Sequence, residues 1–463
     1  MSAEASDMSS YLLMGLPGLA YLSGLSEVGW TAIGLAIGTY LNWLIVAKRI
    51  RNYTEICGNS ITLPEFFSKR YRDNRNILTA IAAIIIIIFF IPYTASGFSA
   101  CGKLFNSLFG VDYMTAMIVS AIVIVLYTTL GGFLAASTSD FVQSCIMTVA
   151  LIIVLGFGIY TAGGLGQVID NSRELAGYLS LTQSHDQATG TSSPFSMLSI
   201  VSTLAWGLGY FGMPHILLRF MAIEDHKKLK LSRRVATTWV VISMAAAVFI
   251  GVVGLSMTKA GAVPYLEGSS ASETIIIQIS SLISTHGVFA ALVAGLIIAG
   301  ILAATMSTSD SQLLAASSSV SQNIIQDFAG IKVSKKTEMI LARGTVVAIS
   351  IVAAFLAKNP DSSVFRIVSF AWAGFGAAFG PLVLTSLFWK RTNFYGAIAG
   401  LVSGGAMVFI WKFLVRPLGG AWDIYELLPA FIVSFAVIVI VSLLTPEPSE
   451  EIQKEFDAVK VHE

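Results

Sequence analysis

Hydroxyl and carboxylate side chains directly follow a long apolar run in the C-terminal half of the chain. The run Val288–Met306 is long enough to be a membrane-span candidate, and residues 307–311 then read Ser-Thr-Ser-Asp-Ser. Oxygen ligands of this kind suit hard cations. The segment 304–314 therefore indicates ion binding at a membrane helix, and with it ion-coupled transport.

The composition requires a membrane environment. Hydrophobic residues make up 55% of the 463 residues, charged residues only 12%, and the mean hydropathy is +0.77. These values exclude a soluble globule of this length. We predict about twelve apolar spans of roughly 20 residues each. They are 3–23, 27–47, 78–99, 114–136, 139–163, 194–220, 235–257, 286–311, 338–357, 363–389, 394–415 and 424–445.

Basic residues cluster in the loops after the second and the sixth predicted spans. They are Lys48, Arg49, Arg51, Lys69, Arg70, Arg72 and Arg75 in the first loop, and Arg219, Lys227, Lys228, Lys230, Arg233 and Arg234 in the second. The positive-inside rule predicts that both loops are cytoplasmic. Alternation of the spans then places the tail 446–463 inside and the loop 164–193 outside.

No enzymatic motif accompanies these spans. Cys57, Cys101 and Cys145 are scattered, which favours packing roles over a disulfide framework or a metal site. The chain has no CxxC, HExxH, GxGxxG, P-loop or GxSxG motif, and its five histidines are unclustered. We therefore predict no enzyme activity, no nucleic-acid partner and no protein partner; the lipid bilayer and a small solute are the expected partners.

The N-terminus has neither a basic n-region nor an A-x-A-like cleavage site, so it is not a signal peptide. An acidic, serine-rich stretch leads directly into apolar residues. From the residues alone, this stretch is either a cytoplasmic tail or the middle of a membrane helix.

Two interrupted segments occupy matching positions in the two halves of the chain. Gly15–Gly18 lies in the first span and Trp206–Pro214 in the sixth. Five spans precede the sixth, so the halves 1–163 and 194–389 have opposite orientations, as in an inverted repeat. Glycine and proline free backbone groups near the midplane, where such transporters bind ligands. Tight packing or a simple kink is the alternative.

Three strings carry a specific resemblance: Ser6–Gly18, Trp206–Phe220 and Ala371–Pro381. They resemble the sodium:solute symporter family, and most of all its bacterial sodium/proline symporters. The resemblance covers residues 1–445 and implies an all-α polytopic membrane protein with a LeuT-type fold. That fold has five plus five inverted helices, followed here by two more in 394–445.

The family also implies alternating access driven by co-transported sodium, in the bacterial cytoplasmic membrane. Members of this type carry one more helix before the first core helix. This chain lacks it, so we expect a misassigned start or a truncation. On this interpretation Ala5–Ser9 is the unwound stretch of a broken helix.

The resemblance implies a sodium site made of three backbone carbonyls and two hydroxyls. These are the carbonyls of Ala5, Met8 and Ala304 and the hydroxyls of Ser307 and Thr308. Bonding of each hydroxyl back to its own helix is the alternative. The family also implies that Asp7 is required for coupling, either as a ligand or as an organiser of the broken helix.

A second sodium is implied at Asp140, Asp310 and Ser311, beside Ser307. Asp310 and Ser311 lie three and four residues after Ser307, on one helical face. An N-cap role for Asp140 and an ion pair between Asp310 and a cytoplasmic Lys or Arg are equally good interpretations.

For the organic substrate, the resemblance implies a pocket that suits a compact amphipathic imino acid, L-proline. Its residues would be Ser9, Ser10, Tyr127, Trp206, Tyr210 and Pro214. Aromatic faces offer apolar surface and favour a cationic amine. The glycines Gly374, Gly376 and Gly380 would let the tenth span pack closely or act as an outer gate.

Three other functions remain open: a symporter for another solute, a channel and a membrane sensor. A channel would need a continuous polar path, whereas the polar residues gather at helix breaks. A sensor would need a signalling domain, and the glutamate-rich tail after Thr445 is short and predicted to be disordered.

Overall fold

The structure, a computed structural model, describes residues 2–223 and 228–461, with the side chains of 2–130, 138–223 and 228–459. Lys227, one of the predicted cytoplasmic basic residues, lies outside the described residues. The first half contains α1 (Ser2–Ser10), α2 (Leu16–Ser23), α3 (Leu25–Leu41), α4 (Ala47–Ile56), α5 (Leu63–Arg70), α6 (Ile77–Phe109), α7 (Tyr113–Thr161), α8 (Leu165–Arg173) and a short antiparallel hairpin of β1 (Gln183–His185) and β2 (Ser192–Pro194). The second half contains α9 (Met197–Leu204), α10 (Pro214–Met221), α11 (Leu229–Lys259), α12 (Gly268–Ser272), α13 (Ile275–Ser284), α14 (Val288–Ser318), α15 (Lys335–Leu356), α16 (Val364–Phe388), α17 (Phe394–Ile410), α18 (Leu427–Leu444) and α19 (Glu450–Val461).

Among the described residues, ten helical segments are long and apolar enough to cross a membrane. The two predicted spans missing from that set, 3–23 and 194–220, are the two that we predicted to be interrupted. Each is divided into shorter helical pieces. The helical polytopic architecture is thus confirmed, and the interruptions fall at matching places in the two halves.

The break in the first span is narrower than we predicted. Residues Ser2–Ser10 are helical, and within them only Ser9 departs, with φ 47° and ψ −171°. The hydroxyl of Ser9 accepts a hydrogen bond of 3.1 Å from the backbone N–H of Tyr11, which supports this rarely occupied backbone conformation. The prediction that all of Ala5–Ser9 is unwound is therefore wrong. A π-helical turn, Tyr11–Gly15, follows the break and leads into α2.

The break in the sixth span is longer. Residues Ala205–Gly212 form a 3-10 helix, Met213 is extended, and Pro214 opens α10. Gly207 lies so close to α3 that an added Cβ would collide with the carbonyl oxygen of Gly34. Small residues at this crossing let the broken segment pack directly against α3.

The fourth and fifth predicted spans both lie within α7, which reverses direction. The hydroxyls of Tyr127 and Ser139 are 2.6 Å apart, whereas a straight helix would separate these residues by about 18 Å. The two arms of α7 therefore pack side by side.

The C-terminal tail is helical, which corrects our prediction of disorder. In α19 the apolar residues Ile452, Phe456 and Val459 are buried, and their spacing gives the helix one apolar face. The guanidinium groups of Arg49 and Arg70 lie 5.4 and 5.6 Å from the centre of the Phe456 ring. The tail is thus packed against basic residues of the 48–75 loop.

The cysteines form no disulfide. Cys57 and Cys101 are buried, as a packing role requires, but Cys145 is exposed on the surface of α7. The packing interpretation is therefore wrong for Cys145.

Candidate sodium and substrate sites

Three of the five predicted sodium ligands, Ala5, Ala304 and Ser307, are in contact where α14 crosses α1. The hydroxyl of Ser307 donates to the carbonyl oxygen of Ala5 at 3.1 Å and to that of Ala304 at 3.2 Å. The neighbouring hydroxyl of Thr308 is buried without a hydrogen-bond partner. Met8 is buried and directly precedes the break at Ser9. Bonding within the helix thus does not account for both hydroxyls, because Ser307 also reaches α1 and Thr308 bonds to nothing.

This arrangement follows from the packing of α1. The helix is short and almost entirely buried, and it lies against α7, α10 and α14. A buried hydroxyl without a partner costs about 1–3 kcal/mol. A bound cation would remove this cost by taking the oxygens of Thr308, Ser307 and the carbonyls as ligands.

Asp7 lies on a different side of α1 from this group. Its carboxyl oxygen Oδ1 is buried without a hydrogen-bond partner, and the Nε2 of His215 on α10 is 4.0 Å away. Its backbone carbonyl accepts a 3.0 Å hydrogen bond from the hydroxyl of Tyr93. Asp7 is thus tied both to α6, through its main chain, and to the region of α10, through its side chain.

Asp140, Asp310 and Ser311 also come together, around Arg219. The sequence predicted Arg219 only as one of the cytoplasmic basic residues. Arg219 donates to Asp140 Oδ2 at 2.8 Å and to the hydroxyl of Ser311 at 3.0 Å. Ser311 in turn donates to Asp310 Oδ1 at 3.3 Å, and Ser2 donates to Asp140 Oδ2 at 2.9 Å. The N-cap interpretation of Asp140 is wrong, because its bonded oxygen accepts from Arg219 and Ser2 and its other oxygen has no partner.

Trp206 is at the centre of an aromatic layer. Its ring stacks on Tyr11 at 5.5 Å and on Tyr425 at 5.1 Å, and it packs at a tilt against Phe365 at 5.4 Å. The indole N–H of Trp372 donates to the Trp206 carbonyl at 2.8 Å. Tyr11, Phe365, Trp372 and Tyr425 were not predicted; only their aromatic type near glycine-rich segments could have indicated them.

This layer separates two cavities. On one side is a small cavity of about 10 Å³, lined by buried residues that include Asp7, Met8 and Tyr11, which is room for about one water molecule. On the other side, a cavity of about 670 Å³ reaches Trp206. The larger cavity is lined by residues such as Arg416 and Asp423, in the loop between the eleventh and twelfth predicted spans, which the alternation of the spans would place outside.

The remaining predicted substrate residues divide into two groups. Ser9, Ser10, Tyr210 and Pro214 are buried at the two helix breaks, and Tyr210 packs edge-on against Trp372 at 5.1 Å. Tyr127 does not join them. Its hydroxyl pairs with that of Ser139, and it lines neither of the two cavities.

The model of the sodium:solute symporter family matches residues 1–404. The chain is 40% identical over 460 residues to the osmoregulated proline transporter OpuE of Bacillus subtilis, covering 99% of this chain and 89% of that protein. It is also 40% identical over 466 residues to a sodium/proline symporter of Staphylococcus aureus, covering 99% of this chain and 87% of that protein.

Solved structures share the fold at low sequence identity. A Na+-coupled sialic acid symporter in a substrate-bound outward-open state matches with a TM-score of 0.75 and 16% identity, over 97% of this chain and 90% of that one. Mhp1, a nucleobase-cation-symport-1 family transporter in a closed conformation, matches with a TM-score of 0.54 and 12% identity, over 98% of this chain and 95% of that one. These likenesses confirm the predicted LeuT-type fold. The family match and the two 40% identical relatives show that the chain belongs to the sodium:solute symporter family.

Proposed function

We propose that this protein carries L-proline together with sodium across the bacterial cytoplasmic membrane by alternating access. The observation that carries the proposal is the junction of α1 and α14, where Ser307 reaches the carbonyl of Ala5 and Thr308 keeps a buried hydroxyl without a partner. The 40% identical relatives are named as a proline transporter and a sodium/proline symporter, which supports proline as the solute.

Sodium in this proposal is held by the carbonyls of Ala5, Met8 and Ala304 and the hydroxyls of Ser307 and Thr308. All five are neutral oxygens, as suits a hard monovalent ion that must also be released. Because α1 and α14 both contribute ligands, bound sodium would hold the two helices together. Its release would let them separate.

Proline in this proposal binds between the two broken segments, on the faces of Trp206 and Tyr210, with Ser9, Ser10 and Pro214 contributing. The cavity of about 10 Å³ there is far smaller than the several hundred Å³ of typical ligand pockets. Binding therefore requires Trp206 to move apart from Tyr11 and Phe365, which would join the pocket to the larger cavity. Asp7 borders the small cavity, and we assign it the coupling role.

A second sodium at Asp140, Asp310 and Ser311 requires a rearrangement. Arg219 already neutralises Asp140 and bonds to Ser311, so a cation would bind only after Arg219 leaves. The proposal is tested by counting sodium ions per proline in the double variant Asp140→Asn, Asp310→Asn. An unchanged count would exclude this site.

We also propose that the C-terminus is cytoplasmic. The packing of α19 on Arg49 and Arg70 supports this orientation, because it places the tail on the side of the basic loop that the positive-inside rule assigns to the cytoplasm.

The function is tested by uptake of labelled L-proline into proteoliposomes, with and without an inward sodium gradient, at a negative-inside potential. One sodium gains about 2.3 kcal/mol from ~100 mV, and a tenfold gradient adds about 1.4 kcal/mol. Accumulation on the order of several hundredfold is therefore expected. Uptake that ignores sodium would contradict the proposal, and stronger competition by another amino acid would identify a different solute.

A further inference from the structure

Glu4 is a buried carboxylate for which the sodium and proline sites provide no role. It is fully buried in α1. Its Oε1 accepts a 2.7 Å hydrogen bond from the indole N–H of Trp43, and its Oε2 has no hydrogen-bond partner. Glu4 lies three residues before Asp7, so both carboxyls project from one face of the helix.

Unsatisfied oxygens from two other segments meet this face. The hydroxyl of Tyr210, from the break in the sixth span, lies beside the carboxyls of both Glu4 and Asp7. The hydroxyl of Thr39, from α3, lies beside that of Tyr210. One oxygen of each of these four side chains is buried, and although the Tyr210 hydroxyl lies close to the other three side chains, none of these oxygens reaches hydrogen-bond geometry.

Two carboxyls close together in a membrane interior require compensation of their charge. Among the described residues, no Lys or Arg forms an ion pair with either of them. The charge of Arg219 acts on both carboxyls, but its guanidinium group hydrogen-bonds to Asp140, to Ser311 and to the carbonyl of His215. His215 approaches Asp7 only at 4.0 Å and forms no ion pair with Glu4.

We propose that Glu4, Asp7, Thr39 and Tyr210 form a binding site for a further sodium ion, here called the Glu4 site, which is distinct from the site proposed at Asp140, Asp310 and Ser311. The four side chains offer only oxygen, the ligand of hard cations. Among the described residues, no three His, Cys, Asp or Glu side chains group together as a transition-metal site would need. One alkali cation would satisfy the four oxygens together and neutralise part of the carboxylate charge.

The Glu4 site is separate from the sodium site proposed at Ser307 and Thr308, here called the Ser307 site. Its side chains come from α1, α3 and the 3-10 helix 205–212, whereas α14 supplies Ser307 and Thr308. A cation in the Glu4 site would join α1 to the 3-10 helix 205–212, which contains Trp206. Sodium bound there would thus fix the relative positions of the two segments between which the solute is proposed to bind.

The test is a count of bound sodium. Binding of ²²Na⁺ to the purified full chain is measured by scintillation proximity, without proline, for the parent and for Glu4→Gln, which keeps the shape and removes the charge. We expect Glu4→Gln to bind one sodium fewer than the parent. The matched control is Glu65→Gln, on α5, where Glu65 pairs with Lys69 at 2.6 Å; it should bind as many ions as the parent.

Two further variants separate the two sodium sites and replace Glu4→Gln if it does not fold. In Thr308→Ala, which removes a ligand of the sodium proposed at Ser307 and Thr308, the number of bound sodium ions should fall by one when Glu4→Gln is added. If Glu4→Gln does not fold, Thr39→Val is used instead, and the half-saturating sodium concentration of one bound ion should rise at least about threefold. An unchanged count in folded Glu4→Gln, or an unchanged concentration in Thr39→Val, would overturn the Glu4 site.

The Glu4 site rests on the proposed sodium coupling. A parent protein that binds no sodium would overturn both proposals. Equal sodium binding by the parent and by Glu4→Gln would overturn the Glu4 site alone.

Discussion

The hydroxyl of Ser307 donates a 3.1 Å hydrogen bond to the backbone carbonyl of Ala5, 302 residues earlier in the chain. The two residues belong to the two halves of the chain that we predicted to form an inverted repeat. Their contact therefore depends on how these halves pack together, and a change in that packing would open or close the proposed sodium site.

Loss of either hydroxyl should weaken sodium use more than proline use. We expect Ser307→Ala or Thr308→Ala to raise the half-saturating sodium concentration at least about tenfold, which corresponds to ~1.4 kcal/mol, since each variant removes one ligand oxygen. The measurement is proline uptake at varied sodium concentration. Ser317→Ala is the control, because the hydroxyl of Ser317 donates to the carbonyl of Leu314 within its own helix. Equal effects on sodium and proline would argue against direct ligation.

Trp206→Ala should weaken proline use more than sodium use. The variant removes the aromatic surface that stacks on Tyr11 and Tyr425, and each such contact contributes about 0.5–1.5 kcal/mol. We expect the half-saturating proline concentration to rise about tenfold or more, with a smaller change for sodium. Trp422→Ala is the control, since Trp422 is half exposed and packs on Trp411 at 5.8 Å. A normal proline concentration dependence in Trp206→Ala would remove Trp206 from the pocket.

Arg219→Ala should destabilise the fold by leaving a buried carboxylate without its cation. Breaking a buried ion pair in this way costs about 3–5 kcal/mol, and Asp140 has no exposed surface. Thermal unfolding of the purified protein measures the loss, and adding Asp140→Asn should restore much of it. Lys454→Ala, which breaks an exposed pair with Glu450 at 3.7 Å, should change stability by less than about 1 kcal/mol. Failure of Asp140→Asn to compensate would show that the pair does not set stability.

Glu273 should be essential for the start of α16. Its carboxylate accepts from Lys103 at 2.7 Å and from the backbone N–H groups of Val364 and Phe365 at 3.0 and 3.1 Å. We expect Glu273→Ala to cost about 3–5 kcal/mol and also to weaken proline binding, because Phe365 packs on Trp206. Glu174→Ala breaks an exposed pair with Lys259 and should do neither. A stable Glu273→Ala protein with normal uptake would contradict this role.

The tail helix should detach when its central aromatic residue is removed. Phe456 is buried and lies edge-on to Tyr53 at 6.3 Å, while the surrounding ion pairs, such as Lys390 with Asp457 at 2.5 Å, are partly exposed and weakened by salt. Phe456→Ala should therefore make residues 446–461 accessible to protease, more so at high salt. Lys454→Ala is the control, since the Lys454 side chain lies on the exposed face of the same helix. Equal cleavage of Phe456→Ala and the parent would show that this ring does not hold the tail.

The correct predictions came from local patterns in the sequence. Apolar runs of membrane length, glycine and proline at two matching places, and hydroxyls after Met306 can all be read without knowing any contact. They predicted the helical fold and the two interrupted spans, whereas the meeting of Ser307 with Ala5 was expected only from the family resemblance.

The predictions that failed depended on contacts between distant segments. The reversal within α7 places Tyr127 beside Ser139, away from Trp206. Arg219, which by its charge belongs to a basic loop, pairs with Asp140 from another helix. The apolar face of α19 is short and is surrounded by charged residues. The order of this helix therefore depends on the basic residues against which Phe456 packs.

The sequence by itself therefore determined which segments cross the membrane and where they are interrupted, because hydropathy and backbone freedom are properties of neighbouring residues. Only the tertiary structure decided which charges are paired and which are left alone. Glu4 shows the difference: in the sequence it is one acid in a polar N-terminal stretch, and in the fold it is buried beside Trp43, Tyr210 and Asp7. The compensation of a buried charge depends on side chains that packing brings to it from other parts of the chain.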